Sequence, residues 1–72
     1  MVPKLLPVDS SSIVAIGYDE RTRTMFVRFQ TSPRLYAYSG VPARIFEQLA
    51  QAESKGRFVN EVIKPGYAVR KL

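Results

Sequence analysis

Two stretches that alternate with a period of two, followed by a stretch of helix composition, set the limits on this fold. Over residues 24–29, Met25, Val27 and Phe29 share one face, and Thr24, Phe26 and Arg28 share the other. Over residues 34–39, Arg34, Tyr36 and Tyr38 share a face opposite Leu35 and Ala37. The alternation stops at Gly40-Val41-Pro42. Pro42 suits a first helical turn, where its missing N–H costs nothing. Residues 43–53 then carry an apolar stripe of Ile45, Leu49 and Ala52, widened by Phe46 and Ala50.

The flanks extend this pattern. Ile13-Val14-Ala15-Ile16-Gly17-Tyr18 is rich in strand formers and reads as the first strand, with charged residues 19–23 as its turn. Residues 1–9 read as an extended lead-in, because Pro3 and Pro7 disfavour helix. Ser54-Lys55-Gly56 reads as a helix stop, with Gly56 suited to the left-handed position. Phe58, Val62 and Ile63 fit about two further helical turns, broken at Pro65-Gly66. Residues 68–72 read as a basic tail, with the stretch from Tyr67 to Leu72 an option for a short extra strand. The expected fold is α+β: a three-stranded antiparallel β-meander followed by two helices packed on one face, in the order β-β-β-α-α.

Composition narrows the functions. The 72 residues make one domain without cysteine or histidine. A chain this short buries only roughly 60% of the surface its unfolded form exposes. It must fold on apolar packing alone, or with a second copy. No disulfide and no Cys/His zinc site can form, and no metal or cofactor is expected. The usual proton shuttle and the most easily activated nucleophile are both missing. The six carboxylates, Asp9, Asp19, Glu20, Glu47, Glu53 and Glu61, are not spaced as an acid/base couple. Ser54-Lys55 is the one adjacent Ser/Lys pair, and sequence neighbours usually point apart. The expected function is therefore non-catalytic.

Eleven Lys/Arg against six Asp/Glu give a formal charge of +5. The cations are spread along the chain, so there is no polybasic membrane anchor. The positive field attracts polyanions, and a basic surface also serves solubility. Residues 1–8 are interrupted by Pro3 and Pro7 and do not form a signal peptide. No segment approaches the roughly 18 apolar residues of a membrane span, and the cytoplasm is the expected location.

One set of residues resembles a known family. Ile13, Ile16-Gly17-Tyr18-Asp19, Phe29, Tyr36-Ala37-Tyr38, Gly40-Val41-Pro42, Ala52-x-Ser54-x-Gly56, Asn60 and Ile63 are similar to the KTSC domain, over about residues 10–67. That domain takes its name from the C-terminus of some lysyl-tRNA synthetases, and it also occurs as a stand-alone small bacterial protein. The resemblance implies RNA binding through that association alone. Two positions depart from the pattern. Ser32-Pro33 stands where members commonly carry Gly, and Val59 where they often carry an aromatic residue.

The register of the second hairpin decides what the tyrosines do, because a slip of one residue exchanges the two faces. If Phe29 pairs with Arg34 across a four-residue loop, Val27 faces Tyr36 and Met25 faces Tyr38. Both tyrosines then join the core, leaving Phe26 as a lone exposed aromatic. If Gln30 pairs with Arg34 across a three-residue loop, Phe26, Tyr36 and Tyr38 form an open patch beside Arg28 and Arg34. In that arrangement the tyrosines stack bases while Arg28, Arg34, Arg57, Lys64 and Arg70 hold phosphates. An open aromatic patch also suits a homodimer seam or another protein partner. Ser54, Gly56 and Asn60 read as turn and cap residues; a polar pocket joining Ser54, Asn60 and a tyrosine hydroxyl is the alternative.

Overall fold

The computed structural model describes residues 2–72. Five strands form one antiparallel sheet in chain order: β1 (Leu6–Pro7), β2 (Ile13–Asp19), β3 (Thr24–Phe29), β4 (Leu35–Tyr38) and β5 (Val69–Lys71). Two helices follow β4. α1 spans Ala43–Gln51, and α2 spans residues 55–66. The fold is α+β, with five strands where three were expected.

Both extra strands are edges recruited from the flanks. The lead-in, residues 1–9, supplies β1, which pairs Leu6 with Ile16 and Pro7 with Ala15; Met1 lies outside the described residues. The tail, residues 68–72, supplies β5, which pairs Lys71 with Tyr36 and Val69 with Tyr38. Strands of two and three residues are too short to show alternation. Long-range pairing forms them, and an edge position tolerates Pro7.

The β3–β4 register is that of the four-residue loop. Val27 faces Tyr36 and Met25 faces Tyr38. Ser32 builds the turn: its N–H donates to the Phe29 carbonyl at 3.3 Å, and its Oγ accepts from the Arg34 N–H at 3.2 Å. Ser32 thus closes the loop through its own side chain.

The front of the sheet carries the main core. Ile13, Ile16, Met25, Val27 and Tyr38 pack against Val41, Leu49, Val59 and Ile63. In the α1 stripe Leu49 is buried and Ile45 and Phe46 are half-buried, whereas Ala50 is exposed. The back of the sheet has a second, smaller core of Phe26, Leu35 and Ala37, against which Leu5 packs. Phe26 is therefore not a lone exposed aromatic. The N-terminal segment can lie there because Gly17 has no side chain: a Cβ would stand 2.7 Å from Leu5 Cδ2 and 3.4 Å from the Lys4 carbonyl oxygen.

The helix junction differs from the expected stop. α1 ends at Gln51, and the Ala52 N–H bonds the Leu49 carbonyl at 3.1 Å. Ser54 begins α2: its Oγ accepts from the Arg57 N–H at 3.3 Å, a standard N-cap. Gly56 is not a left-handed terminus. It is buried in the first turn of α2, where a Cβ would come within 2.7 Å of both Cβ and Oγ of Ser12. The glycine is required by close approach, not by backbone handedness.

α2 consists of an α-helical turn (Lys55–Phe58), a π-helical turn (Val59–Ile63) and a closing turn (Lys64–Gly66). In the π turn the Lys64 N–H reaches the Val59 carbonyl, five residues back. Pro65 follows directly, with no N–H to donate and a ring that crowds the preceding turn. The wider turn carries the helix through this proline to its end at Gly66. Asn60 is exposed on the π turn and makes no side-chain hydrogen bond among the described residues, so it does not act as a cap. No helix among the described residues is long and apolar enough to cross a membrane.

Candidate nucleic-acid interface

The helix-covered face has two aromatic ends. At one end, Tyr18, Met25 and Tyr38 lie side by side on β2, β3 and β4. Tyr38 is only 2% exposed. Tyr18 stacks on Phe46 of α1, with ring centroids 5.1 Å apart and planes 15° from parallel. The Tyr18 hydroxyl donates to the Val41 carbonyl, which satisfies its polar tip. Burial raises the Tyr18 and Tyr38 phenols above their ordinary pKa, because the phenolate would lose its hydration. We call this the sealed end because Tyr38 has no face to offer a ligand; Tyr18 and Phe46 beside it are half-buried.

At the other end, Phe29 and Tyr36 meet edge to face, with centroids 5.4 Å apart and planes at 84°. Both are half-buried. Lys64 Nζ lies 5.4 Å from the Phe29 ring centroid, and Lys71 Nζ lies 5.7 Å from that of Tyr36. The topology explains the placement. Lys71 is the cross-strand partner of Tyr36, and Lys64 leaves the last turn of α2. Each contact is within cation–π range, worth roughly 0.5–1 kcal/mol at an exposed site. Arg34 is nearby in sequence, and its Nε donates to the Leu72 carbonyl at 3.3 Å, tying down the end of β5.

The seven residues expected at a binding surface are thus divided. Tyr36 and Lys64 meet at the open end, and Arg34 borders it through Leu72. Tyr38 is in the core. Arg28 pairs with Leu35 and Arg70 with Ala37, which sets both on the back face. Arg28 is half-buried there, and its Nε is enclosed without a hydrogen-bond partner. Arg57 lies on the outer side of α2 and pairs with Glu61 at 2.9 Å, the one ion pair among the described residues. It borders a shallow groove of about 270 Å³ that includes Ser54, Phe58 and Val62. Neither Asn60 nor a tyrosine lines that groove, so the pocket joining them to Ser54 does not form.

Two members of the open end, Phe29 and Lys71, were not among the expected site residues. The four-residue-loop register already puts Phe29 on the Tyr36 face, which is the signal for it. Lys71 had no such signal, because its place depends on the pairing of β5.

Comparison with known proteins agrees with this architecture. The KTSC domain family model matches residues 9–67. A protein of Tsukamurella paurometabola is 46% identical over 61 residues, spanning 85% of this chain and 90% of that protein. A lysine–tRNA ligase of Nostoc punctiforme is 34% identical over 68 residues, which are 94% of this chain but 12% of that enzyme. The crystal structure of a KTSC domain protein from Yersinia pestis superposes with a TM-score of 0.90 at 40% identity, covering 96% of each chain. The Gly17-Tyr18 step, the Tyr36-Ala37-Tyr38 strand and the Ser54-x-Gly56 helix start thus each have a structural reason, and the chain belongs to the KTSC domain family.

Proposed function

We propose that this domain is a non-catalytic RNA-binding module of the cytoplasm, taking tRNA or another structured RNA. The observation that carries the reading is the open end of the sheet, where two half-buried rings lie beneath two lysines that form no ion pair among the described residues. Aromatic surface with cations beside it is the chemistry that single-stranded nucleic acid recognises. The charge of +5 adds attraction to phosphate. Similarity to a segment of lysine–tRNA ligases supports RNA as the polyanion, since those enzymes act on tRNA.

The test is fluorescence anisotropy of a labelled tRNA against a same-length duplex DNA competitor across a salt series. RNA-preferring binding that persists near physiological salt is the expected result. Weak binding to both acids that vanishes with salt is ordinary electrostatics and overturns the reading.

A protein-interaction or homodimer role is the second reading, favoured by the outer edge of the sheet. β5 is exposed along its length, with Val69 in it 53% exposed and Leu72 after it 43% exposed. A defined dimer insensitive to salt, without preference for RNA, distinguishes it.

A further inference from the structure

We infer that the open end of the sheet takes an unpaired nucleotide of an RNA, with the base stacked on Tyr36 and the flanking phosphates held by Lys64 and Lys71. This rests on the RNA reading above and names the part of the RNA that the site takes.

Tyr36 is half-buried, its inner side packed against the main core, whereas Tyr38, two residues on, is only 2% exposed. Phe29 supports Tyr36 edge-on at 5.4 Å, which fixes the ring and leaves little side-chain entropy to lose on binding. The two ammonium groups rest over the two rings at 5.4 and 5.7 Å. They carry no competing carboxylate partner among the described residues. Each can move from a ring face to a phosphate beside it without breaking an ion pair. Arg34 is a positioning residue, since its bond to the Leu72 carbonyl holds the end of the strand that carries Lys71.

Duplex RNA hides its base faces inside the stack and offers this surface phosphates, 2′-hydroxyls and base edges but no ring face. An unpaired base offers its ring face as well. The groove around Ser54 and Phe58 on α2 does not include Tyr36. Stacking on the exposed part of the ring tolerates any base.

The experiment compares a labelled single-stranded oligouridylate with a duplex RNA of the same length, using the full chain and four variants. Wild type is expected to prefer the single strand. Tyr36→Leu keeps apolar bulk in the sheet and is expected to weaken the single-strand complex by about fivefold to a hundredfold, leaving duplex binding and circular dichroism unchanged. Lys71→Ala is expected to lower the salt slope by about 0.7. Arg21→Ala, in the β2–β3 turn beside the sealed end, is expected to change neither. If wild type binds RNA but Tyr36→Leu binds equally well, the site assignment is overturned while the RNA reading stands. If wild type binds neither RNA, both fall. Should Tyr36→Leu not fold, Lys71→Ala and Lys64→Ala decide, and an unchanged salt slope in both overturns the assignment.

Discussion

The two aromatic ends of the front face are built from similar residues and finished differently. At the sealed end Tyr18 stacks on Phe46 of α1, Tyr38 is buried in the main core, and the Tyr18 hydroxyl is satisfied by the Val41 carbonyl. At the open end Phe29 and Tyr36 are capped by Lys64 and Lys71. Aromatic bulk alone does not say whether a ring serves the core or a ligand. What lies over it differs: α1 is anchored in the core by Leu49, whereas a lysine side chain is held by no ion pair among the described residues.

The sharpest way to break this contrast is truncation at the sealed end. Tyr38→Ala removes a ring from the centre of the core and should cost on the order of 3–5 kcal/mol, as large-to-small aromatic changes do. In a domain this small that is most of its stability. Urea denaturation would read it, and a midpoint equal to wild type would show that Tyr38 is not core.

Gly56→Ala comes next. Its Cβ would meet Ser12 at 2.7 Å, so an overpacking cost of about 1–3 kcal/mol is expected. Ser12→Gly should recover part of it in a double-mutant cycle. A neutral Gly56→Ala would mean that α2 sits farther from the β1–β2 loop than the contact indicates.

Alkaline pH tests the sealed end without mutation. Tyr38 and Tyr18 have pKa values raised by burial above the ordinary 10.0. Folding therefore favours their protonated forms. That contribution is fully present below about pH 10 and is lost as pH rises through the folded values. The thermal midpoint should show no tyrosine-linked loss below that point and fall above it, in step with late phenolate absorbance. Ionisation of Tyr18 and Tyr38 at the ordinary phenol value would contradict burial.

The smallest effect belongs to the surface pair on α2. Arg57 and Glu61 are exposed and one helical turn apart. Arg57→Ala should leave the denaturation midpoint unchanged within error, since solvent and salt screen such pairs. A clear loss would give α2 a larger electrostatic role than its exposure suggests.

Much of this was legible along the chain, for local reasons. The alternation in 24–29 and the run Ile13–Tyr18 marked two strands because side chains on a strand change face at every residue. Pro42 and the Ile45/Leu49 stripe marked α1. Gly56 was legible as a constrained position but not for its actual reason, because the atom that forbids a Cβ belongs to Ser12, more than forty residues earlier. Ser54 looked like an ending because the same residue types stop and start helices when two lie close together.

The candidate site was the least legible part. Tyr36 and Tyr38 carry the same side chain on one face of one strand, and sequence alone cannot separate them. Lys71 was hidden in a tail whose pairing spans half the chain.

Sequence by itself determined the absence of Cys/His chemistry, the basic surface, the strand–strand–strand–helix core and kinship with a small domain family. Those properties depend on composition and short-range periodicity. Tertiary structure alone decided the hairpin register, the recruitment of both flanks as edge strands and which tyrosine kept an open face. Each depends on contacts between residues far apart in the chain, where the choice lies between whole arrangements and a shift of one residue exchanges every side chain's surroundings.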